Sequence, residues 1–290
     1  MIDLHAATVL LQVATGGMFF LWITTRRREV SLGYGWLMRS LYAALAGIGL
    51  VAAIGTEPWW PRDGLTIAFI VVCLGAFALS VQRRGAGVEG QREVVERRSV
   101  RVAEMTGIDR AEQRFDKSKA EYPPVLDLVA ALVGLAGVIA AAVHAVDAPD
   151  ATGSLWVSIA RVVVGSAFLG AITDGMSLGH WYLTQPGLKR GPLLELVYWN
   201  LAIWPFELLV LLLPTGMLSV LNGTIDDKYG GYLGWYWAAS SLMTLILLVM
   251  TRLALKERQY SAVMAATGLL YLAILMAFGM DVVARVLLDA

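Results

Sequence analysis

The stretch AATVLLQVATGGMFFLWITTRRR, residues 6–28, places a 20-residue apolar segment directly before three arginines. An α-helix of roughly 20 apolar residues crosses the hydrocarbon core of a bilayer, and Lys and Arg beside such a helix stay on the cytoplasmic side. No Lys or Arg precedes the segment, which is the opposite of the order in a secretory signal peptide. We therefore expect a first membrane span that is inserted with its N-terminus outside.

The same alternation of apolar and basic segments continues along the whole chain. Lys and Arg form four runs that fall on every second connection, so that with both ends outside 19 of the 23 lie on the inner side. This pattern predicts an all-α, polytopic integral membrane protein of the cell (inner) membrane, with eight transmembrane helices and both termini outside. The predicted spans are residues 4–25, 36–55, 64–82, 124–146, 156–183, 192–214, 232–251 and 261–285.

Composition supports this class and argues against several others. The chain is 58% hydrophobic with a mean hydropathy of +0.64, which leaves little sequence for a soluble domain. A net charge of zero argues against nucleic acid as a partner, so we expect the lipid bilayer, and further membrane subunits, as the surroundings. Cys73 is the single cysteine, which excludes an internal disulfide, and Cys or His clusters with the usual spacing of a metal site are absent from the sequence.

The longest polar segment, residues 83–122, falls on the predicted cytoplasmic side. Its ten basic residues are offset by eight acidic ones, and its apolar residues recur at helical spacing with an interruption at Thr106 and Gly107. This pattern predicts a connector of two short amphipathic helices at the membrane surface. We assign residues 1–146, including the connector, to a first four-helix half and residues 147–290 to a second.

Short sequence matches between the halves suggest an internal repeat. Residues 15–18, TGGM, resemble residues 173–176, TDGM, and residues 39–42, RSLY, resemble residues 195–198, ELVY. Four spans per half would give two parallel halves with the same orientation. A duplication and a chance similarity between short apolar motifs both remain open.

Polar residues within spans are concentrated in the fifth and sixth spans. An ionisable group at the bilayer centre costs about 2.5 to 3.5 kcal/mol on insertion scales, so each such group needs a partner or a use. We take these residues as a candidate quinone site or proton path. The candidates are Arg161, Asp174, His180, Trp181, Asn200 and Glu207.

Antiparallel spans joined by a short connection place certain polar residues at the same depth. In this register Arg161 lies near Glu207 and Asp174 lies near Asn200. Arg161 and Glu207 are either a buried ion pair that fixes packing or part of a proton path, and Asp174 is either a relay or a neutral, hydrogen-bonded carboxyl. Trp199 and Trp204 lie within the sixth span rather than at its ends, and Pro205 is expected to kink the helix beside them. The sixth span is therefore a candidate cavity wall.

The histidines argue against haem. A membrane haem b needs two histidines at one depth, but His5 and His144 lie near the outer side and His180 near the inner side. His5 and His144 are either interfacial residues or, with Asp3 or Asp147, an outer ligand pair. A quinone site around His180 and Trp181 has looser requirements and stays open as the cofactor hypothesis.

No motif of a catalytic site occurs in the chain, so we expect no independent catalytic activity. The favoured hypothesis is an accessory or quinone- and proton-handling membrane subunit of a redox or energy-conserving complex. A small-solute transporter or channel is the first alternative, and a structural membrane scaffold is the second.

Overall fold

A computed structural model describes residues 5–106, 115–116, 118–147, 154–185, 188–213 and 216–288. Within these residues, eight helices are long and apolar enough to cross a membrane, and the chain is an all-α polytopic membrane protein. The eight helices are α1 Ala6–Thr25, α2 Leu32–Thr56, α3 Trp60–Gln82, α5 Val125–Asp147, α6 Leu155–Thr184, α7 Gly191–Leu212, α9 Tyr232–Lys256 and α10 Tyr260–Leu288.

The predicted spans and the observed helices agree in number and order, which confirms the eight-helix prediction. Helix α2 begins four residues before its predicted span and α9 ends five residues after its own, whereas α1 begins two residues later than predicted. The reason is that a helix continues to satisfy its backbone hydrogen bonds after its side chains have become polar. The span boundaries read from hydropathy therefore mark the apolar core of each helix rather than its ends.

The connector between α3 and α5 forms a short 3-10 turn, Arg83–Ala86, and one 18-residue helix, α4 Glu89–Thr106. The interruption predicted at Thr106 and Gly107 falls at the limit of the described residues and stays a prediction. The second predicted amphipathic helix falls largely on residues 107–114, which lie outside the described residues. A further short helix, α8 Met217–Leu221, lies between α7 and α9.

Helices α1 and α6 form the centre of the bundle. Of their apolar windows, 72% and 56% are buried, more than in any of the other six long helices. Their backbones touch where Gly16 crosses Gly170: a Cβ added at Gly170 would lie 2.1 Å from the carbonyl carbon of Gly16. Only glycine permits this approach, which therefore brings polar side chains on both helices into a common interior.

The two central helices, α1 and α6, have similar arrangements of helices packed around them. Helix α1 packs against α2 and α5, and α6 packs against α7 and α10; α3 packs against α5, and α9 against α10. The division into two halves remains a prediction. We call the end of the bundle where α1, α3, α6 and α9 end the basic end, and the opposite end the far end.

Candidate functional site: two buried carboxylate clusters

The first cluster surrounds Asp174, ten residues before the end of α6. Its carboxylate is fully buried, and the hydroxyl of Tyr34, at the start of α2, donates to Asp174 Oδ1 over 2.9 Å. Tyr42, two turns further along α2, is close enough to interact electrostatically with Asp174. The ring of Tyr42 occupies the space beside Gly17 of α1. Asp174 is thus enclosed by phenols from α2, a helix that the sequence analysis did not include in the site.

The second cluster lies towards the far end and joins four helices. Arg285 of α10 donates through Nε to Asp281 over 2.6 Å and through Nη2 to the Gln12 oxygen over 2.6 Å. A Cβ added at Gly165 of α6 would lie 2.5 Å from Gln12 Nε2. The same point lies 3.7 Å from Glu207 Oε1 and 3.8 Å from Asp281 Oδ1. Two carboxylates, one guanidinium and one carboxamide therefore converge on the bare backbone of Gly165.

The two clusters lie at different depths along the same helix. Gly165 and Asp174 are nine residues apart on α6, which corresponds to about 13 Å along the axis. Several buried polar atoms in these clusters have no hydrogen-bond partner within the described residues: Gln12 Nε2, Tyr42 Oη, Asp174 Oδ2, Asn200 Oδ1 and Glu207 Oε2. Buried polar atoms without protein partners are commonly satisfied by ordered water.

A buried ion pair at the basic end joins α2 to α5. Arg39 of α2 donates to both oxygens of Asp127, at the start of α5, over 2.7 and 2.8 Å. Tyr122 donates to the same carboxylate over 2.8 Å, and its ring lies 4.2 Å from the Arg39 guanidinium carbon. Burial and the nearby carboxylate raise the pKa of the Tyr122 phenol above its usual value, so it remains a donor. The pair fastens α2 to α5.

Arg161 does not form an ion pair with Glu207, which was one of the two roles that the sequence left open. Within the described residues its guanidinium has no carboxylate within 4 Å. It instead donates to the carbonyls of Val210, over 2.9 Å, and Leu213, over 2.6 Å, at the C-terminal end of α7. A cation at this position satisfies carbonyls that the helix leaves without partners and complements the helix dipole. Arg161 therefore stabilises the C-terminal end of α7.

His180 and Trp181 point in different directions from Asp174. His180 is exposed, and its Nδ1 lies 3.1 Å from the hydroxyl of Tyr271 on α10. Trp181 is half-buried and donates to the Ser31 hydroxyl over 3.2 Å, while its ring lies 6.0 Å from that of Tyr34. Of these two candidates, Trp181 is connected to the Asp174 cluster and His180 is not.

The sixth predicted span contributes less to the site than expected. Asn200 lies beside Gly175 of α6, at the depth that the sequence predicted, and donates to a carbonyl of its own helix. Trp204 donates to the Ser241 carbonyl of α9, while Trp199 is 38% exposed on the outside of α7. Trp199 also borders a cavity of about 470 Å³ at the surface.

The far-end histidines make local contacts at the ends of α1 and α5. His5 caps α1 by accepting from the Ala7 amide, and its Nε2 lies 2.6 Å from the Thr56 hydroxyl. His144 stacks on Trp59 with 4.4 Å between ring centroids. No group of His, Cys, Asp or Glu that could hold a metal ion occurs in the described part of the chain, and Asp3 lies outside it.

Sequence reasoning missed most partners of the two carboxylates. Asp281 and Arg285 are four residues apart on one helical face, and that spacing inside an apolar span was a readable signal of a buried pair. Gln12 was equally visible as the one amide within the first span. Tyr34 and Tyr42 gave no signal, because tyrosine near a span end is usually an interfacial residue.

The chain matches no model of a protein family, and no curated protein or solved structure shows significant similarity to it.

Proposed function

We propose that the protein is a proton-handling membrane subunit of a redox or energy-conserving complex. Two buried acidic clusters lie at different depths along α6, one around Asp174 of α6 and one that includes Glu207 of α7. This observation carries the proposal. Titratable groups at successive depths within a bundle are typical of proton relays in membrane proteins.

The hydrogen-bonding chemistry of the clusters supports a relay rather than a set of closed ion pairs. Asp174 has a phenol as its hydrogen-bond donor and no cation within 4 Å in the described residues, so its carboxyl can exchange a proton with Tyr34 or with water. In the second cluster, Arg285 is paired with Asp281 and lies close enough to Glu207 to interact with it electrostatically. Within the described residues Glu207 has no cation within 4 Å, so its carboxyl can also bind and release a proton.

The distance between the two clusters determines what proton transfer between them requires. About 13 Å is more than one hydrogen bond can cover. Transfer between Asp174 and Glu207 would thus run through intervening water, held by buried polar atoms that have no partner among the described residues, such as Gln12 Nε2.

Proton flux into liposomes tests the proposal. Purified full-length protein is reconstituted with a pH-sensitive dye inside, and a valinomycin-clamped potassium gradient drives proton entry. We expect dye acidification with the unmodified protein, and at least a tenfold slower rate with Asp174→Asn or Glu207→Gln, because neither amide can bind and release a proton.

The matched control is Asp226→Asn, which makes the same chemical change on an exposed loop at the far end. Melting temperatures in detergent verify that each variant is folded. Absence of flux through the unmodified protein, or equal flux through the Asp174 and Asp226 variants, would refute the relay.

A small-solute transporter is the second candidate, and the similar neighbours of α1 and α6 support it. Transporters built from two related halves often bind their substrate where the halves meet. Uptake of a labelled solute into the same vesicles, coupled to the pH gradient and lost in Asp174→Asn, would favour transport over a simple relay.

A further inference from the structure

A cavity of about 470 Å³ opens on the surface of the bundle at the basic end, between the connection that follows α1 and the first half of α7. Arg27 lines it from that connection. On α7 its lining runs from Gly191 to Ala202, which is about 16 Å along the helix axis. About 15 Å is half the thickness of the hydrocarbon core of a bilayer, so the cavity has the length of one lipid leaflet.

The cavity changes from charged to apolar along this length. Its charged lining residues, Arg27 and Glu195, lie at the level of the first turn of α7, and the rings of Tyr198 and Trp199 follow one turn later. Beyond the rings, the outer face of α7 is apolar towards the far end. The exposed residues of this face are Tyr198, Trp199, Ala202, Phe206 and Leu209.

The charged end of the cavity carries more guanidinium groups than carboxylates. Arg26 and Arg27 both pair with one carboxylate, that of Glu195, over 2.6 and 3.2 Å. The Arg27 side chain remains 51% exposed in this pairing. One carboxylate cannot neutralise two guanidinium groups, so Arg27 has charge and donors available for a further anion.

The neighbouring charges add to this excess. The guanidinium carbon of Arg252, on α9, lies 5.3 Å from the centre of the Tyr198 ring, and Arg252 has no carboxylate within 4 Å among the described residues. One further carboxylate, that of Glu29, approaches Gly191, and Arg190 precedes this glycine with the opposite charge. The surroundings of the cavity therefore have a net positive charge.

We propose that this cavity binds an anionic phospholipid, with the phosphate at Arg27 and the acyl chains along the exposed face of α7. A guanidinium forms strong, charge-assisted hydrogen bonds with phosphate oxygens, and basic pockets between membrane helices bind anionic headgroups. Tyr198 and Trp199 then lie beside the glycerol region, where amphipathic rings are favoured. A soluble anion would contact only the charged end, whereas a lipid covers the whole length of this surface.

Native mass spectrometry of the full-length protein in neutral detergent tests the headgroup contact, with dioleoylphosphatidylglycerol and dioleoylphosphatidylcholine as probes. We expect one phosphatidylglycerol to bind saturably and more tightly than phosphatidylcholine, because only the former has a net negative charge. Arg27→Gln should weaken its binding roughly fivefold. The matched control is Arg84→Gln, an exposed arginine that lines a different cavity at the same end, and it should bind as the unmodified protein does.

A second pair of variants tests the path of the acyl chains. Ala202→Trp fills the apolar end of the cavity from an exposed position, so it should weaken phosphatidylglycerol binding without lowering the melting temperature. Ala44→Trp makes the same enlargement at an exposed position of α2 and should leave binding unchanged.

Four results would overturn the assignment. They are equal affinity for the two lipids, equal weakening in Arg27→Gln and Arg84→Gln, unchanged binding in Ala202→Trp, and displacement of the lipid by inorganic phosphate. The second would indicate a diffuse attraction to the basic end, and the last a soluble anion. None of the cavity's lining residues belongs to either carboxylate cluster, so Asp174→Asn should bind the lipid as the unmodified protein does.

Discussion

The guanidinium of Arg39 holds the carboxylate of Asp127 with two parallel hydrogen bonds, of 2.7 and 2.8 Å, where both side chains are almost completely buried. Replacing Asp127 by Asn leaves an unpaired buried charge, which is typically worth 3 to 5 kcal/mol. We expect the free energy of unfolding in mixed micelles to fall by about this amount. The exposed pair Arg97 and Glu93 supplies the control, since Arg97→Gln should change stability by less than about 0.5 kcal/mol.

A second prediction concerns the crossing of α1 and α6. In Gly170→Ala the new methyl group would meet backbone atoms of Gly16 and Gly17, which no rotamer change can move aside. We expect a loss of about 1 to 3 kcal/mol or more, measured as a lower melting temperature. Gly75→Ala, where a Cβ meets nothing within 4 Å, should be neutral or slightly stabilising. Equal effects at the two positions would contradict the close crossing.

Arg161 should act on the end of α7 and not on Glu207. Arg161→Met removes two hydrogen bonds to helix carbonyls, and we expect a cost of about 2 kcal/mol together with faster amide exchange in the last turn of α7. Arg258→Met, on an exposed loop, is the control. A double-mutant cycle with Glu207→Gln should give a coupling energy below about 0.5 kcal/mol. A larger coupling energy would indicate that Arg161 and Glu207 interact directly.

The far-end loop should loosen in acid because of Asp227. Backbone amides of Gly231, Tyr229 and Leu233 donate to this carboxylate and hold its pKa below the usual value. A carboxyl of this kind stabilises the fold above its unfolded pKa of about 3.9 and loses that contribution as the pH falls through the lower folded pKa. We therefore expect protection of these amides to fall below about pH 4, after correction for intrinsic exchange.

Asp227→Asn should reduce the protection of the same amides already at pH 7. Asp226→Asn is the matched change, because among the described residues only the Lys228 amide donates to Asp226. Protection in the Asp227 variant that equals that of the unmodified protein at every pH would refute this account of the loop.

The eight helices could be predicted because each depends on its own sequence. A span needs about 20 apolar residues wherever it lies in the chain. Tertiary partners do not follow in this way. The predicted spans place Arg161 and Glu207 at the same depth in the membrane. The contacts of a side chain also depend on the rotation of its helix about the helix axis, and hydropathy says little about that rotation.

The candidate site was predicted in part for the same reason. Asp174 and Glu207 could be identified as candidates because a carboxylate inside an apolar span is unusual on its own helix. Their surroundings could not be identified, since Tyr34 comes from 140 residues away in sequence and its type is ordinary near a span end. Asp127 was overlooked because an acidic residue in the first turn of a helix has a ready local explanation in the helix dipole.

The contact between Gly16 and Gly170 also limits how the bundle can move. With two backbones in direct contact and no side chain between them, α1 and α6 cannot approach further, so a change in their relative tilt would have to pivot at this point. Asp174 lies one turn to one side of the pivot, and Gly165, with the carboxylates of the second cluster, lies more than one turn to the other. Such a rocking motion would move the α1 and α6 side chains of the two clusters in opposite directions, as the two arms of a lever do.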